Sequence, residues 1–301
     1  MSSIVYTTDQ EMIEYHRLCG NRDVNFWRLS SRASFSDFHR GDLLFFYAYG
    51  PTKRKKGLVG YAHYDSTNRL SLDEMWKRYK TFNGYSSKQK LKEAITLAAR
   101  DGNVPETMNC LYLKDCVYFS SPIYPEEAGL RINDKLESYT YLDRNDPTAT
   151  VRVLRIAEKR GIDIWAGSQN YEPDTIFELD EVRQELALIH TQIAPDQYTS
   201  SELRRAKKLV RPLLAEGYEP IRGSTTDLFC LCEGQVIIAV PFAATGNDRA
   251  IQVRNTLGKL LCYQLESKKQ GLRGTLRFVI LTEETEERKE FLQYAADNIG
   301  L

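Results

Sequence analysis

Between Gly41 and Gly50 the chain runs GDLLFFYAYG, with neither a charge nor a turn former from Leu43 to Tyr49. So short an apolar run cannot span a membrane, which takes about 20 residues. It reads as a buried central strand. The loop PTKRKKG (51–57) follows with four consecutive cations, Lys53, Arg54, Lys55 and Lys56, and then GLVGYAHYD (57–65) alternates as a partner strand. Two aromatic strands joined by a basic tip therefore commit the first part of the chain to a sheet.

Residues 24–64 read as short strands with turns, and CLYLKDCVYF (110–119) is a further alternating strand. Two helices lie between them. SLDEMWKRYK opens on Ser71, with Glu74 three residues on to complete a capping box. SSKQKLKEAITLAAR (86–100) sets Leu91, Ile95 and Ala98 or Ala99 on one face.

A length of 301 residues suggests two domains, or one large one. Lys plus Arg and Asp plus Glu are 41 each, which excludes a polycation or an acidic tail as the organising principle. Neutrality hides an asymmetry, because residues 40–100 hold 13 basic and 5 acidic side chains. Such a segment suits a polyanion-facing patch, or a solvated helix face plus a charged hairpin loop. Turn formers in YLDRNDPTATVRVL mark a boundary near residues 141–152. This divides the chain into 1–147, a connector at 148–177, and 178–301, with the end of the first domain's sheet as the alternative for 151–175.

The order NFWRLS, GDLLFFYAYG, GLVGYAHYD and CLYLKDCVYFSSPI resembles the PUA-like group of small β-barrels, which includes EVE, YTH and ASCH domains. The resemblance covers roughly residues 1–145 and implies a barrel with helices that reads a nucleic acid, often through a flipped or modified base in an aromatic pocket. It makes Trp27, Tyr47, Tyr49 and Tyr61 candidate pocket aromatics and Asn25 a candidate edge-reading amide; packing in the barrel core is the alternative for each aromatic.

From residue 176 the pattern is helix, helix, three strands, helix, strand, helix. FELDEVRQELALIHTQ carries Val182, Leu186 and Ile189 on one stripe, and SSELRRAKKLVRPLLAEG is capped by Ser200 or Ser201 and ended by Gly217. DLFCLC and QVIIAVPF are joined at Glu233-Gly234, a tight-turn signal. RAIQVRNTLGKLLCYQLESK is a long helix, TLRFVILT a strand, and TEERKEFLQYAADN a final helix. This order, with AEGYEPIRGSTTDLFC and VRNTLGKLLCYQ, resembles the restriction-endonuclease-like PD-(D/E)XK fold over roughly residues 178–298. The expected architecture is thus α+β and α/β, a PUA-like barrel followed by an αβββαβ domain.

The nuclease resemblance places Asp227 at the first metal-binding carboxylate, whereas the acid-x-Lys motif falls on Ala239 and Pro241. Alanine cannot ligate a metal, and Pro241 should mark a strand end or an edge. Asp227 alone would hold Mg²⁺ weakly, and two carboxylates are needed for cutting. The favoured expectation is a nuclease fold that no longer cuts, without cofactor. In an active alternative, Lys259 supplies the cation, Glu233, Glu202 or Glu185 the acid, and Mg²⁺ is required.

Lys53, Arg54, Lys55 and Lys56, with Arg249, Arg254, Lys259, Lys268 and Lys269, are candidates for phosphate contacts. The expected partner is nucleic acid, DNA in preference to RNA. Homodimerisation and a place in restriction or phage defence follow by analogy only. A modification-dependent endonuclease and a protein-interaction module are the competing readings, the latter supported by zero net charge. The six cysteines, Cys19, Cys110, Cys116, Cys230, Cys232 and Cys262, read as reduced core thiols, and His16, His39, His63 and His190 lack metal spacing. MSSIVYTTDQEMIEYH has neither a basic n-region nor an apolar h-region, so a cytoplasmic protein without membrane association is expected.

Overall fold

The computed structural model describes residues 2–29, 35–50, 55–133, 135–163, 172–193, 198–243 and 249–283, with 289, 292–294 and 297 beyond them; the side chains of 249 and 250 are excepted. The chain divides into two compact units, Met1–Glu178 and Leu179–Leu301. No helix among the described residues is long and apolar enough to cross a membrane.

The first unit is a mixed α+β assembly. Its elements are β1 (Ser3–Thr7), α1 (Gln10–Leu18), β2 (Val24–Arg28), β3 (Leu43–Tyr49), β4 (Lys56–Leu70), α2 (Leu72–Tyr79), α3 (Lys88–Ala98), β5 (Met108–Ile123), β6 (Tyr139–Tyr141) and α4 (Ala149–Arg160). The sheet order is β2-β5-β4-β3-β1-β6. GDLLFFYAYG does become a strand buried on both faces. Leu44 and Phe46 pack with Ile4, Tyr6, Phe26, Leu111 and Leu113 on one face. Leu43, Phe45 and Tyr47 pack with Val5, Tyr61, Val153 and Phe177 on the other. Ser71 and Glu74 form the capping box expected for α2.

The barrel expectation needs correction. Among the described residues, no backbone pairing joins the end strands β2 and β6. Side chains bridge the seam instead. The Tyr6 ring on β1 stands 4.9 Å edge-on from Phe26 on β2, and Phe35 lies 4.8 Å from Tyr139 on β6. The sheet is therefore strongly curled without closing its ladder.

Residues 148–177, expected as a connector or the end of the first domain's sheet, include α4, whose Ala149, Val153, Leu154 and Ala157 are buried in the first unit's core.

In the second unit, α5 (Pro173–His190), which begins in the first, is followed by α6 (Ser200–Ala215), β7 (Glu219–Pro220), β8 (Leu228–Cys232), β9 (Gln235–Pro241), α7 (Arg249–Gln270) and β10 (Thr275–Leu281). The sheet order is β10-β9-β8-β7. β9 and β10 run parallel across α7, and the other neighbours are antiparallel. Glu233 and Gly234 both have positive φ, 49° and 73°, which closes the β8–β9 hairpin in two residues.

Thr199, not Ser200 or Ser201, caps α6; its extended backbone lets it form a capping box with Glu202. Cys110 and Cys116 are buried, whereas Cys19, Cys232 and Cys262 are exposed, so the core reading fails for these three. Most of TEERKEFLQYAADN lies outside the described residues.

Candidate functional site

Beside the seam of the first sheet lies a cavity of about 250 Å³ lined by Arg28, Phe35, Phe38, Tyr64, Thr67, Asn109 and Leu111. Register explains this lining. Arg28 lies opposite Asn109, and Asn109 opposite Arg69, so β2, β5 and β4 contribute one row. Phe26, Leu111 and Thr67 form the next row on the same face. The β4 register shifts between Tyr64 and Ser66. That bulge brings Tyr64 onto the face of Thr67, where the two hydroxyls meet at 2.8 Å.

The aromatic walls support one another, with Phe38 5.0 Å from Tyr64 and 5.1 Å from Phe35. The Gly41-Asp42 turn holds Tyr64 through two backbone bonds, Gly41 N–H to Tyr64 O and Tyr64 N–H to Asp42 O. The Asp42 carboxyl accepts the His39 N–H at 2.8 Å. Burial pushes that carboxyl up to about 6, opposed by the hydrogen bond from His39 and reinforced by Asp143.

The residues singled out for the pocket lie elsewhere. Tyr47 and Tyr61 are fully buried in the core beneath α4, a packing role. Asn25 and Trp27 project from the opposite face of β2 to Arg28, toward Asn83 after α2. Asn25 Nδ2 donates to Asn83 Oδ1 at 2.7 Å, Trp27 Nε1 donates to Asn83 O at 3.3 Å, and Asn83 in turn donates to Met75 O and Lys80 O. They tie the helical segment to the sheet. Tyr49 alone is an open aromatic surface, 45% exposed beneath the Lys56 ammonium. It pairs with Lys56 at one end of the β3–β4 hairpin while Leu43 pairs with His63 near the cavity, roughly 20 Å away at strand rise. One residue of phase in β2 separates Arg28 from the pair chosen in the sequence. The arginine that closes the segment VNFW, in phase with Phe26, was the available signal.

In the second unit Asp227 is 1% exposed. Lys259 Nζ donates to its Oδ1 at 2.8 Å and Tyr263 Oη to its Oδ2 at 2.9 Å. The Tyr263 hydroxyl also lies 2.9 Å from His190 Nδ1, and the Asp227 N–H donates to Ser224 Oγ at 2.9 Å. Ala239 sits opposite Leu228 in register and packs with Val210, under α6. Asp227 lies one residue before Leu228, on the α7 face where Tyr263, Ile238 and Val240 pack. The β9 residues on the face of Asp227 are thus Ile238 and Val240, both apolar, and not Ala239 and Pro241, where the nuclease resemblance expected the acid-x-Lys pair.

Pro241 does end β9, two residues past the last β8 pairing at Ala239. The active-site alternatives disperse. Glu202 caps α6 and accepts from Gln252. Glu185 accepts the Arg273 N–H at 3.4 Å, and Glu233 lies at the far end of β8. The Asp227 charge is already paired with the Lys259 ammonium, which leaves a poor site for a divalent cation such as Mg²⁺. No metal-binding group of three His, Cys, Asp or Glu occurs among the described residues.

Of the candidate phosphate ligands, Lys53 and Arg54 lie outside the described residues, as does the side chain of Arg249. Lys55 pairs with Glu126 at 2.8 Å, and Lys56 Nζ donates to Leu136 O at 3.4 Å. Lys259 is buried and committed to Asp227, so it is no surface contact. Arg254, Lys268 and Lys269 are exposed on α7.

No family model and no curated protein matches the chain. Solved structures of the ASCH protein from Zymomonas mobilis do. One is 16% identical, covers 51% of this chain and 94% of its own, with a TM-score of 0.37. A tyrosine-to-phenylalanine variant is 14% identical over 52% of this chain and 99% of its own, with a TM-score of 0.38. At such scores the likeness is a partial trace over half the chain, and neither site nor partner passes from it.

Proposed function

We propose that the chain binds nucleic acid, taking one unstacked base into the Arg28–Phe38–Tyr64 cavity of its first unit, and that its second unit contacts the strand without cutting it. The observation carrying this reading is the lining, planar aromatic walls beside a guanidinium and an amide. Extruding a base costs a few kcal/mol, which stacking and edge hydrogen bonds offset. At about 250 Å³ the cavity is below the roughly 300–1,000 Å³ of drug-sized pockets and suits a single ring system.

Binding without cutting is supported by the bonds of Asp227 to Lys259 and Tyr263. We assign phosphate contacts to Arg254 and, on sequence alone, to Lys53, Arg54 and Arg249. DNA is the proposed partner, plain or base-modified, in a cytoplasmic restriction or phage-defence setting. Homodimerisation would add avidity.

The test is a titration of the full chain against labelled DNA and RNA, plain and base-modified, at two salt concentrations with Mg²⁺ or Mn²⁺, each mixture then run on a denaturing gel. Salt-sensitive binding with intact strands is expected, weakened about 10-fold by Tyr64→Ala. Cut strands would overturn the non-cutting half of the proposal. Absence of binding at either salt would overturn all of it and leave a protein-interaction module.

A further inference from the structure

The helical segment that Asn25 and Trp27 tie to the sheet is strongly basic. Residues 71–100 hold seven basic and three acidic side chains. Each acid is held locally. Asp73 pairs with Lys88 at 2.7 Å, Glu74 closes the Ser71 capping box, and Glu93 accepts from Gln89. Lys77 lies one turn after Asp73 and Lys92 one turn after Lys88, so the ion pair brings their two helix faces side by side. Lys77, Lys80 and Lys92 are exposed, and among the described residues none of the three meets a carboxylate.

A strained turn stands between α2 and α3. Lys80 has φ 48° and ψ −123°, a region that glycine enters freely and a lysine does not. The turn is held from beneath. Lys80 N–H donates to Trp76 O, and the fully buried Asn83 donates through Nδ2 to Lys80 O at 2.8 Å and to Met75 O at 3.1 Å. The backbone is thus fixed where it sets out Phe82, which is 43% exposed. Phe82 belongs to none of the first unit's apolar clusters. An open ring on a rigid turn, among unpaired cations, supplies stacking for a base and charge for its phosphates.

Resting on the nucleic-acid reading above, we infer that this segment is a second contact for a single strand, on the face of β2 opposite the cavity. One unpaired base stacks on Phe82, and the phosphates beside it meet Lys77, Lys80 and Lys92. The lysines carry no sequence information and the ring accepts any base, so this contact is sequence-tolerant. Bases within a duplex keep their faces in the stack and cannot use it.

The experiment is fluorescence anisotropy of the full chain with a labelled oligothymidylate and an abasic strand of equal length, over a salt series. Phe82→Ala should weaken oligothymidylate binding about 5-fold or more and leave the abasic strand within about 2-fold, because only the first offers a base to stack. Lys77→Gln with Lys92→Gln should reduce the slope of log K against log salt by about 1.4. Lys80→Gly removes the third cation and relaxes the turn, so affinity should fall while the urea midpoint does not. A lysine with a merely structural role would lower the midpoint as well. A Phe82→Ala loss that is absent, or equal on both strands, overturns the inference, as does a salt slope unmoved by the lysine changes. Phosphatidylserine vesicles that bind the chain and are lost with Phe82→Ala, oligothymidylate binding being unchanged, overturn it in favour of a membrane surface. In these cases salt-sensitive binding by the unaltered chain, weakened by Tyr64→Ala, leaves the nucleic-acid reading standing. Failure of the unaltered chain to bind any strand overturns that reading and this inference with it.

Discussion

Asp42 joins the Gly-Asp turn to the cavity and is 3% exposed, with its carboxyl pushed by burial from 3.8 up to about 6. An acid harder to ionise in the fold than in the unfolded chain stabilises the fold while protonated, and that contribution is lost as pH rises through the folded value. For Asp42 the loss runs from about pH 4 to just above pH 6. Asp42→Asn keeps the acceptor for the His39 N–H and cannot ionise. Its unfolding free energy should match the unaltered protein near pH 4 and exceed it by as much as about 3 kcal/mol at pH 7.5. Chemical denaturation at both pH values measures this, and a gap that does not change with pH refutes it. The difference between the two proteins is the informative quantity, because burial pushes His16 down to about 3. A base depressed in this way stabilises the fold above its ordinary value and loses that contribution as pH falls. His16 therefore has the opposite slope in both proteins and cancels.

Among the elements, β4 and α7 each depend on one residue that local patterns do not flag. A Cβ on Gly60 would stand 2.4 Å from Val117 O and 3.1 Å from Tyr118 Cα, backbone atoms of the neighbouring strand that cannot step aside. Gly60→Ala should cost about 1–3 kcal/mol, read as a lower urea midpoint. A midpoint shift of nearly zero would mean that β4 and β5 separate more easily than their register implies. On α7, Lys259→Met strands a buried carboxylate and should cost about 3–5 kcal/mol, whereas adding Asp227→Asn should recover much of it. If both substitutions simply add, the pair does not carry the energy.

What was legible in the sequence was local, such as the Ser71–Glu74 box, the 43–49 strand and the 233–234 turn. The cavity was not legible, because it needs the mutual register of β2, β4 and β5 and the bulge after Tyr64. Alternation shows that Asn25 and Trp27 share a face but not which face is open. Which β9 residues face Asp227 was missed for the same reason, since one residue of phase separates Ala239 from Val240.

At the scale of the whole chain the apolar clusters respect the division at Glu178. Those around Phe45, Phe46 and Met75 draw on residues up to Phe177, and those around Val236 and Leu228 on residues from Leu179. The turn-rich stretch near residues 141–152 lies inside the first unit and does not mark the division at Glu178. The ownership of α4 was not legible, because its small apolar stripe fits either neighbour. Among the described residues the two sets of clusters share no residue, so unfolding should not be a single two-state event. Two urea transitions are expected, followed by tryptophan fluorescence, which reads the first unit through Trp27 and Trp76, and by far-ultraviolet circular dichroism. Gly60→Ala should lower one midpoint and Lys259→Met the other, each leaving its counterpart within about 0.5 kcal/mol. If either substitution moves both midpoints, or if a single transition responds to both, the units unfold as one body, and the separate clusters do not act as separate cooperative units.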